Sequence, residues 1–447
     1  MDLELIPSRL QGRVQIPSSK SLGHRDIICS GLALGEQVVD NIAVSEDIRA
    51  TNRCLRALGV QVEETPSQYP GRTAFKYTTR GPLQVVQPVA DCGESGSTLR
   101  FFIPLGALCG APLTFQGRGK LVSRPLDPYY KIFESQHLSY RTGEKGQLPL
   151  TVNGRLKPGG YELPGDVSSQ FVSGLLFALP LLEKESVLKV LPPVESASYI
   201  ELTLAVLARF GVRVERRGDH VYLIPGGQRY HSPGVVTSVE GDWSQAAFWL
   251  VAGAISREGA LGVSSGSQAA SSGIASLGLS PASLQGDRAV VRIIRQMGGR
   301  ITDSEGDFLA CPAATAGVTI DAADCPDLVP VLSVLAAVSS GTTRIINAGR
   351  LRIKECDRLA AMATELNKLG ARVQELPEGL VIEGRPEGLE GGAQVSSWND
   401  HRIAMSLAVA STRCAAPVRL TGAESVQKSY PEFWQDFAAL GGNYKEF

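Results

Sequence analysis

An α/β fold of six related units, three to a domain, is what the 447-residue sequence predicts. Three observations carry this. A segment recurs in which a helix with one apolar face runs into glycine and then an alternating strand. A second helix, apolar around most of its circumference, keeps the same beat. The composition, 43% hydrophobic and 20% charged, is that of a folded soluble chain long enough for two ordinary domains.

The recurring segment reads "CLRALGVQVE" (54–63), "VLARFGVRVE" (206–215), "IRQMGGRIT" (294–302) and "ELNKLGARVQ" (365–374). A fifth copy, "DFAALGGNYK" (436–445), closes the chain, and "IFESQHLSYR" (132–141) fills the remaining gap with its glycine lost. Copies lie 70 to 90 residues apart, a period that marks a repeated supersecondary unit. The glycine suits the residue just past a helix end, where a left-handed backbone is wanted. The apolar helices begin near Ser21, Ser97, Ser169, Trp243, Asp327 and His401. Stretches such as "FVSGLLFALPLL" and "AAFWLVAGAIS" are apolar on nearly every side, so they must be buried rather than laid on a surface. Each unit then reads strand, apolar helix, strand, amphipathic helix, glycine, strand.

The third copy ends near Pro225 and the fourth opens at "VEGDWSQ", which places a domain boundary between residues 239 and 240. One domain is expected over 19–239. The strand before Lys20 is assigned with the second half, giving a second domain of 1–18 plus 240–447. The stretch "SSGSQAASSGIAS" (264–276) has no apolar period and is expected to be a flexible surface loop.

Charge excludes whole classes of partner. Lys plus Arg (44) nearly balances Asp plus Glu (45), so no global basic field exists for nucleic acid or an anionic membrane. The eight cysteines are scattered, mostly in apolar runs, without zinc-like spacing, and are expected as buried reduced thiols. The opening "MDLELIPSRLQGRVQIPSSKS" has neither a signal core nor the character of a transit peptide, and no uninterrupted apolar run is long enough to span a bilayer. The expected compartment is the cytoplasm.

The polar residues fall at the helix starts. The apolar helices open with "SSKSLGHR", "GESGSTLR", "GDVSSQF", "EGDWSQ", "DCPDL" and "NDHR". Ser, Asp, Asn and Gly there are ordinary caps. Capping does not account for Lys20, Arg25, Arg100 and Arg402. The amphipathic helices repeat the pattern: Arg124 precedes one, Ser196 and Tyr199 open another, Arg350, Arg352, Lys354 and Arg358 crowd a third, and Lys428 precedes the last. Taken singly each is a solvated charge. Recurring at one point of a repeated unit, they are expected to converge on one cleft, where positive helix ends join Lys and Arg around a ligand pair carrying carboxylates and phosphates. In "DCGESGSTLRFF" the glycines permit close backbone approach to such an anion. Cheaper motifs fail: "QGRGKLVS" is neither a phosphate-binding P-loop nor a dinucleotide fingerprint, and "GESGS" has Gly96 and Ser97 in the wrong order for a nucleophile elbow. His24 and His401 are expected to cap or orient neighbours, and no metal site is expected.

At "PSSKSLGHR", "GESGSTLR", "SRPLDP", "GDVSSQF", "EGDWSQAAF", "IKECDRLAAMATEL", "NDHRIAM" and "KSYPEF", in that order, the chain resembles the 5-enolpyruvylshikimate-3-phosphate synthase family along essentially its whole length. The resemblance implies a two-domain inside-out α/β barrel of six βαβαββ repeats. It implies transfer of the enolpyruvyl group of phosphoenolpyruvate to the 5-hydroxyl of shikimate 3-phosphate, with release of phosphate, no cofactor and a monomer. Carried over by position, Lys20, Ser21, Arg25, Ser168, Ser169, Gln170, Ser196, Asp327, Arg350 and Lys354 would hold shikimate 3-phosphate. Lys20, Gly96, Arg124, Gln170, Arg358, Arg402 and Lys428 would hold phosphoenolpyruvate, the site for which glyphosate competes in this family. Asp327 would accept a proton, with Glu355 and Lys20 in the same network. Two departures stand out: Arg350 where family members often carry Asn, and Glu94-Ser95 in place of the common Asn-Ala. The rival on the same fold, a UDP-N-acetylglucosamine enolpyruvyl transferase, usually carries a reactive Cys near "GRGKLVSRP", which this chain lacks. A non-catalytic receptor for a phosphorylated metabolite would gain nothing from Asp327 and Glu355 among its cations.

Overall fold

The computed structural model describes residues 1–234, 236–257 and 273–447. The chain divides into two compact units, Ser18–Glu240 and Met1–Pro17 with Gly241–Phe447, each with its own hydrophobic core.

In the Ser18–Glu240 unit the apolar helices are α1 (Lys20–Leu32), α3 (Gly96–Gly106) and α5 (Ser169–Ala178). The amphipathic ones are α2 (Glu46–Ala57), α4 (Asp127–Ser135) and α6 (Ala197–Arg209). The other unit repeats the alternation, with α7 (Trp243–Ile255), α9 (Val329–Ala337) and α11 (His401–Ser411) apolar. Its amphipathic helices are α8 (Ala289–Gln296), α10 (Arg358–Lys368) and α12 (Phe433–Ala439). Every residue of α7, α9 and α11 is buried, as their uniform apolarity demands.

Among the described residues the strands form six four-stranded sheets of one topology, a parallel pair and then two antiparallel neighbours, together with a two-stranded parallel pair of Leu389–Gly391 and Cys414–Ala416. In one, Val89–Asp91 runs parallel to Leu113–Gln116, which pairs antiparallel with Leu150–Asn153, which pairs with Ser139–Arg141. One face of each sheet covers the helices. In Ser186–Leu191, for example, Ser186, Leu188 and Val190 are buried while Val187 and Lys189 are exposed. The helices therefore form the inner layer and the sheets the outer one, as the inside-out expectation has it. The sheets remain separate, so the barrel is not closed by hydrogen bonds.

Two strands are exchanged between the halves of the sequence, and the assignment of the strand before Lys20 to the second half anticipates one side of the exchange. Gly12–Gln15 precedes α1 but pairs with Ile274–Leu277, whereas Val236–Ser238 precedes α7 but pairs with the strand that follows α1, Gly35–Ile42. Leu3–Ile6 completes the last sheet by pairing with both Val418–Thr421 and Asn443–Glu446. Of the loop expected over 264–276, residues 264–272 lie outside the described residues. Ile274, Ala275 and Ser276 correct the rest, because they are buried strand. No described helix is long and apolar enough to cross a membrane.

All six amphipathic helices end in the same turn, in which the N–H of the residue after the left-handed position reaches back five residues. Val60 N–H donates to Leu55 O and Gly59 N–H to Arg56 O, with Gly59 at φ +90°. Where the glycine is lost, His137 takes its place at φ +55°, and Leu138 N–H still donates to Phe133 O at 2.8 Å. A side chain in this conformation costs about 1 kcal/mol that glycine avoids. His137→Gly is therefore expected to raise stability by about 1 kcal/mol, and Gly59→Ala to lower it by a similar amount. Urea denaturation of both variants checks the pair.

Candidate active site

A charged side chain along a buried helix needs its own partner, as Asp26 of α1 has in Arg209, so most of them gather near the helix starts. At the start of α1, Lys20 Nζ lies 2.9 Å from Asp47 Oδ2, a carboxylate in the first turn of α2. Arg25, one turn on, is buried and spends its guanidinium on α6: Nε donates to Thr203 Oγ1 at 2.8 Å and Nη2 to Tyr199 O at 3.1 Å. Its Nη1 donates to Ser21 O at 2.6 Å, and burial pulls its pKa down to about 10. Ser196, buried, opens α6 in a left-handed conformation at φ +54°.

The starts of α3 and α5 meet directly. Arg100 Nη1 donates to Gln170 Oε1 at 2.7 Å, and Gln170 Nε2 donates to Ser97 Oγ at 2.8 Å. Ser95 caps α3 and Ser168 caps α5, with Ser169 buried beside it. A Cβ on Gly96 would run into Arg124 Nη1 and come within 3.2 Å of Arg100 Nη1, so two guanidinium tips flank that backbone. Glu94, one of the two departures, lies so close to Gly119 that a Cβ there would meet its carboxylate at 2.8 Å. Behind these residues His24 Nδ1 sits 2.7 Å from Thr51 Oγ1, which bonds Thr98 Oγ1 at 2.8 Å. Burial, with Lys20 and Arg25 nearby, holds His24 well below its usual range, so it orients α1 against α2 as a neutral ring.

In the other unit Asp327, in the single turn Pro326–Leu328 before α9, is surrounded by cations. Arg358 Nη1 donates to its Oδ1 at 2.8 Å, Arg402 Nη2 to its Oδ2 at 3.1 Å, and Lys354 Nζ lies 3.6 Å from Oδ1. Burial pushes the Asp327 carboxyl up, but Arg402, Lys354 and Arg358 together overcome it and hold it well below the carboxylate range. Burial pulls Lys354 down to about 8, with Asp327 opposing. Arg358 also donates from Nη2 to Glu355 Oε2 at 2.8 Å and from Nε to Asp400 Oδ2 at 2.7 Å. Asp400 in turn caps α11 through Arg402 N–H at 2.8 Å. Lys428 Nζ donates to Asn399 O at 2.8 Å, beside that same helix start. Asp287 accepts from Ser244 Oγ, and its carboxyl is pushed up to about 7 by burial and by Asp327.

The structure thus gathers Asp327, Lys354, Glu355, Arg358 and Arg402 into one network. Arg350 is engaged elsewhere, its Nη2 donating to Ala323 O at 2.6 Å. Arg352, grouped with them by sequence, turns outward to Asp357 and Glu375. Sequence reading took Asp47, Asp287 and Asp400 for ordinary helix-start residues or passed them over, because a carboxylate that caps a helix and one that also grips a cation look alike in a linear string.

A family profile described as EPSP synthase (3-phosphoshikimate 1-carboxyvinyltransferase) matches residues 5–437. The chain belongs to the EPSP synthase family. The curated 3-phosphoshikimate 1-carboxyvinyltransferase of Clostridium kluyveri is 49% identical to it over 441 residues, covering 99% of this chain and 97% of that one. The protein of that name from Clostridium novyi is 46% identical over 449 residues, covering 100% and 99%. The solved EPSP synthase from Acinetobacter baumannii matches with a TM-score of 0.78 at 25% identity over 99% of both chains. The enolpyruvyl transferase NikO from Streptomyces tendae shares the fold, with a TM-score of 0.74 at 16% identity over 99% and 98%. The repeated sheet-over-helix units described above are thus an EPSP synthase fold.

The Arg358 network sets a stability test. Its side chain is 2% exposed and that of Asp400 is fully buried, so Arg358→Met would strand buried carboxylates at a cost of about 3–5 kcal/mol. Arg352→Met, in a partly solvated network, should cost under about 1 kcal/mol. Denaturant midpoints of the two variants give the comparison.

Proposed function

We propose that the chain is an EPSP synthase in activity: it transfers the enolpyruvyl group of phosphoenolpyruvate to the 5-hydroxyl of shikimate 3-phosphate and releases phosphate. The observation that carries this reading is the full-length match to proteins named 3-phosphoshikimate 1-carboxyvinyltransferase, joined to a carboxylate, Asp327, held among Lys354, Arg358 and Arg402.

In this reading the first step forms a C–O bond from the 5-hydroxyl to the central carbon of phosphoenolpyruvate while its methylene carbon gains a proton. Asp327 takes the hydroxyl proton, and the Lys354 ammonium, poised near neutrality, is placed to return one. The tetrahedral intermediate keeps both carboxylate and phosphate. Of the residues assigned to phosphoenolpyruvate, Lys20, Arg124, Arg358, Arg402 and Lys428 would neutralise those groups, the arginines by two-point contacts, and Gln170 would offer a hydrogen bond. Ser21, Arg25, Ser168, Ser169, Ser196 and Arg350 are assigned to shikimate 3-phosphate. Loss of a methyl proton with the phosphate restores the double bond. Asp327 is a weak base while three cations face it. An arriving carboxylate or phosphate that draws Arg402 and Arg358 onto itself raises Asp327, so the base gains strength when substrate is in place. The eight free cysteines fit a reducing cytoplasm.

The deciding experiment measures phosphate release from phosphoenolpyruvate with each of two acceptors. Release with shikimate 3-phosphate and none with UDP-N-acetylglucosamine is expected, and the reverse would move the chain to the sister reaction. Asp327→Asn should lower kcat by about 10²–10⁴ while both substrates still bind. Retained turnover would remove Asp327 from the proton path.

The pH profile tests Lys354. With its ammonium required and its pKa depressed to about 8 in the free protein, kcat/KM is expected to fall about tenfold per pH unit above that point. The limb on kcat should lie higher, because bound anions favour the charged lysine. In Lys354→Arg the alkaline limb should vanish from the accessible range. An unchanged limb would assign it to another group.

A further inference from the structure

The motif "AAMATEL" closes α10 without any part in the chemistry above, and Glu365 within it is among the most buried carboxylates of the molecule, at 1% exposure. Its partners explain it. Glu365 Oε1 accepts the indole N–H of Trp398 at 2.7 Å and Oε2 accepts Ser396 N–H at 3.1 Å, while Lys368 Nζ balances the charge at 2.8 Å. Glu365 lies seven residues after Arg358, so the two stand on the same face of α10, two turns apart. Arg358 holds Asp400, and Glu365 holds Ser396 and Trp398. One helix thus clamps the segment 396–400 at both ends.

Between the clamped ends the backbone does something unusual. Trp398 and Asn399 are consecutive non-glycine residues in the left-handed region, at φ +51° and +54°. Such a pair persists only where its surroundings enforce it. The reversal has a visible result: Asn399 O is turned to Lys428 Nζ, and Asp400 is turned to cap α11 at Arg402 and to grip Arg358. Three cations assigned to phosphoenolpyruvate are therefore set by one strained turn. The turn's own hydrogen bonds, Trp398 N–H to Ser396 Oγ and Asn399 N–H to Ser397 Oγ, hold its shape, and Glu365 adds a tie to α10 whose loss would loosen Trp398 and, with it, Asn399 O and Asp400.

We propose that Trp398 and Glu365 are positioning residues for the phosphoenolpyruvate site, acting through the Trp398–Asn399 turn on Lys428, Arg358 and Arg402. The inference rests on the activity proposed above. Trp398→Phe keeps a ring against the core, removes the N–H donor and trims part of the indole's apolar bulk. It is expected to raise the KM for phosphoenolpyruvate more than threefold, with the KM for shikimate 3-phosphate changed less than twofold. Glu365→Gln, which weakens the same clamp from the other side, should give the same split. The double variant should fall short of the product of the two single effects, because both remove one contact. A purely structural role would lower the melting temperature and leave both KM values alone. Phosphoenolpyruvate KM within threefold of wild type in the folded variants, or both KM values rising together, overturns the proposal. Should Trp398→Phe not fold, Glu365→Gln is judged by the same limits. Wild-type protein that releases no phosphate from either acceptor would instead overturn the activity itself, and this inference with it.

Discussion

A helix that is apolar on every side must be buried on every side, and the rest of the structure follows from that constraint. Each such helix needs a sheet over it and helices beside it, which is why six four-stranded sheets of one topology recur. It also makes charge along its length costly, tolerated where a partner is supplied as Arg209 is for Asp26, so most polar chemistry collects at the ends. Carboxyl-terminal ends offer carbonyls, whereas amino-terminal ends offer unpaired N–H groups and a partial positive charge. Anion chemistry is therefore built at the starts. Arg100 links the start of α3 to that of α5, and Arg402 links the start of α11 to the turn before α9.

Collecting cations in this way carries an electrostatic cost that the structure meets with carboxylates. Lys20 rests on Asp47, and Arg358 faces Asp327, Glu355 and Asp400 at once. These pairings differ in kind. Asp400 is fully buried and also caps α11, so its hold on Arg358 is permanent architecture. Asp327 retains partial exposure, with three cations on its two oxygens, so in the proposed reaction it is the partner an incoming anion would displace. The same ion network thus contains a fixed support and an exchangeable contact. Only the exchangeable one can couple ligand arrival to a change in basicity.

The repeats were legible because helix ends carry a local signature. The glycine turn after each amphipathic helix needs only five residues to specify it, and even the degenerate copy at His137 keeps its hydrogen bonds. The starts of the apolar helices were legible for the same reason, and with them Lys20, Gly96, Gln170 and Arg402. What was hidden depends on pairing at long range. That the strand before Lys20 belongs with the second half was legible, but its partner Ile274–Leu277, and the pairing of Val236–Ser238 with Gly35–Ile42, join residues more than 190 apart, and no local composition names such a partner. Asp400 read as a cap, which it is, and its grip on Arg358 across α10 has no counterpart in the string. Arg352 and Arg358 read as one cluster, although the turn that precedes α10 aims Arg352 outward while Arg358, the first residue of that helix, points in.

The positions of strain separate these two kinds of information. His137 adopts a left-handed backbone to end a helix, in an exposed turn that glycine would serve better. Ser196, Trp398 and Asn399 adopt it where a side chain or carbonyl has to be aimed: Ser196 opens α6 beside the Arg25 contacts, and Asn399 presents its carbonyl to Lys428. Glycine at these three would relieve the backbone and lose what fixes it, since nothing would then hold the turn against its many alternatives. Strain at His137 is thus a leftover of repetition. At Trp398 and Asn399 a buried carboxylate helps to sustain it, and apart from the pairing with its own lysine that carboxylate's hydrogen bonds go to Ser396 and Trp398. A fold built from six copies of one unit has many equivalent turns. Those that carry function are the ones for which neighbouring elements supply contacts that the unit itself does not require.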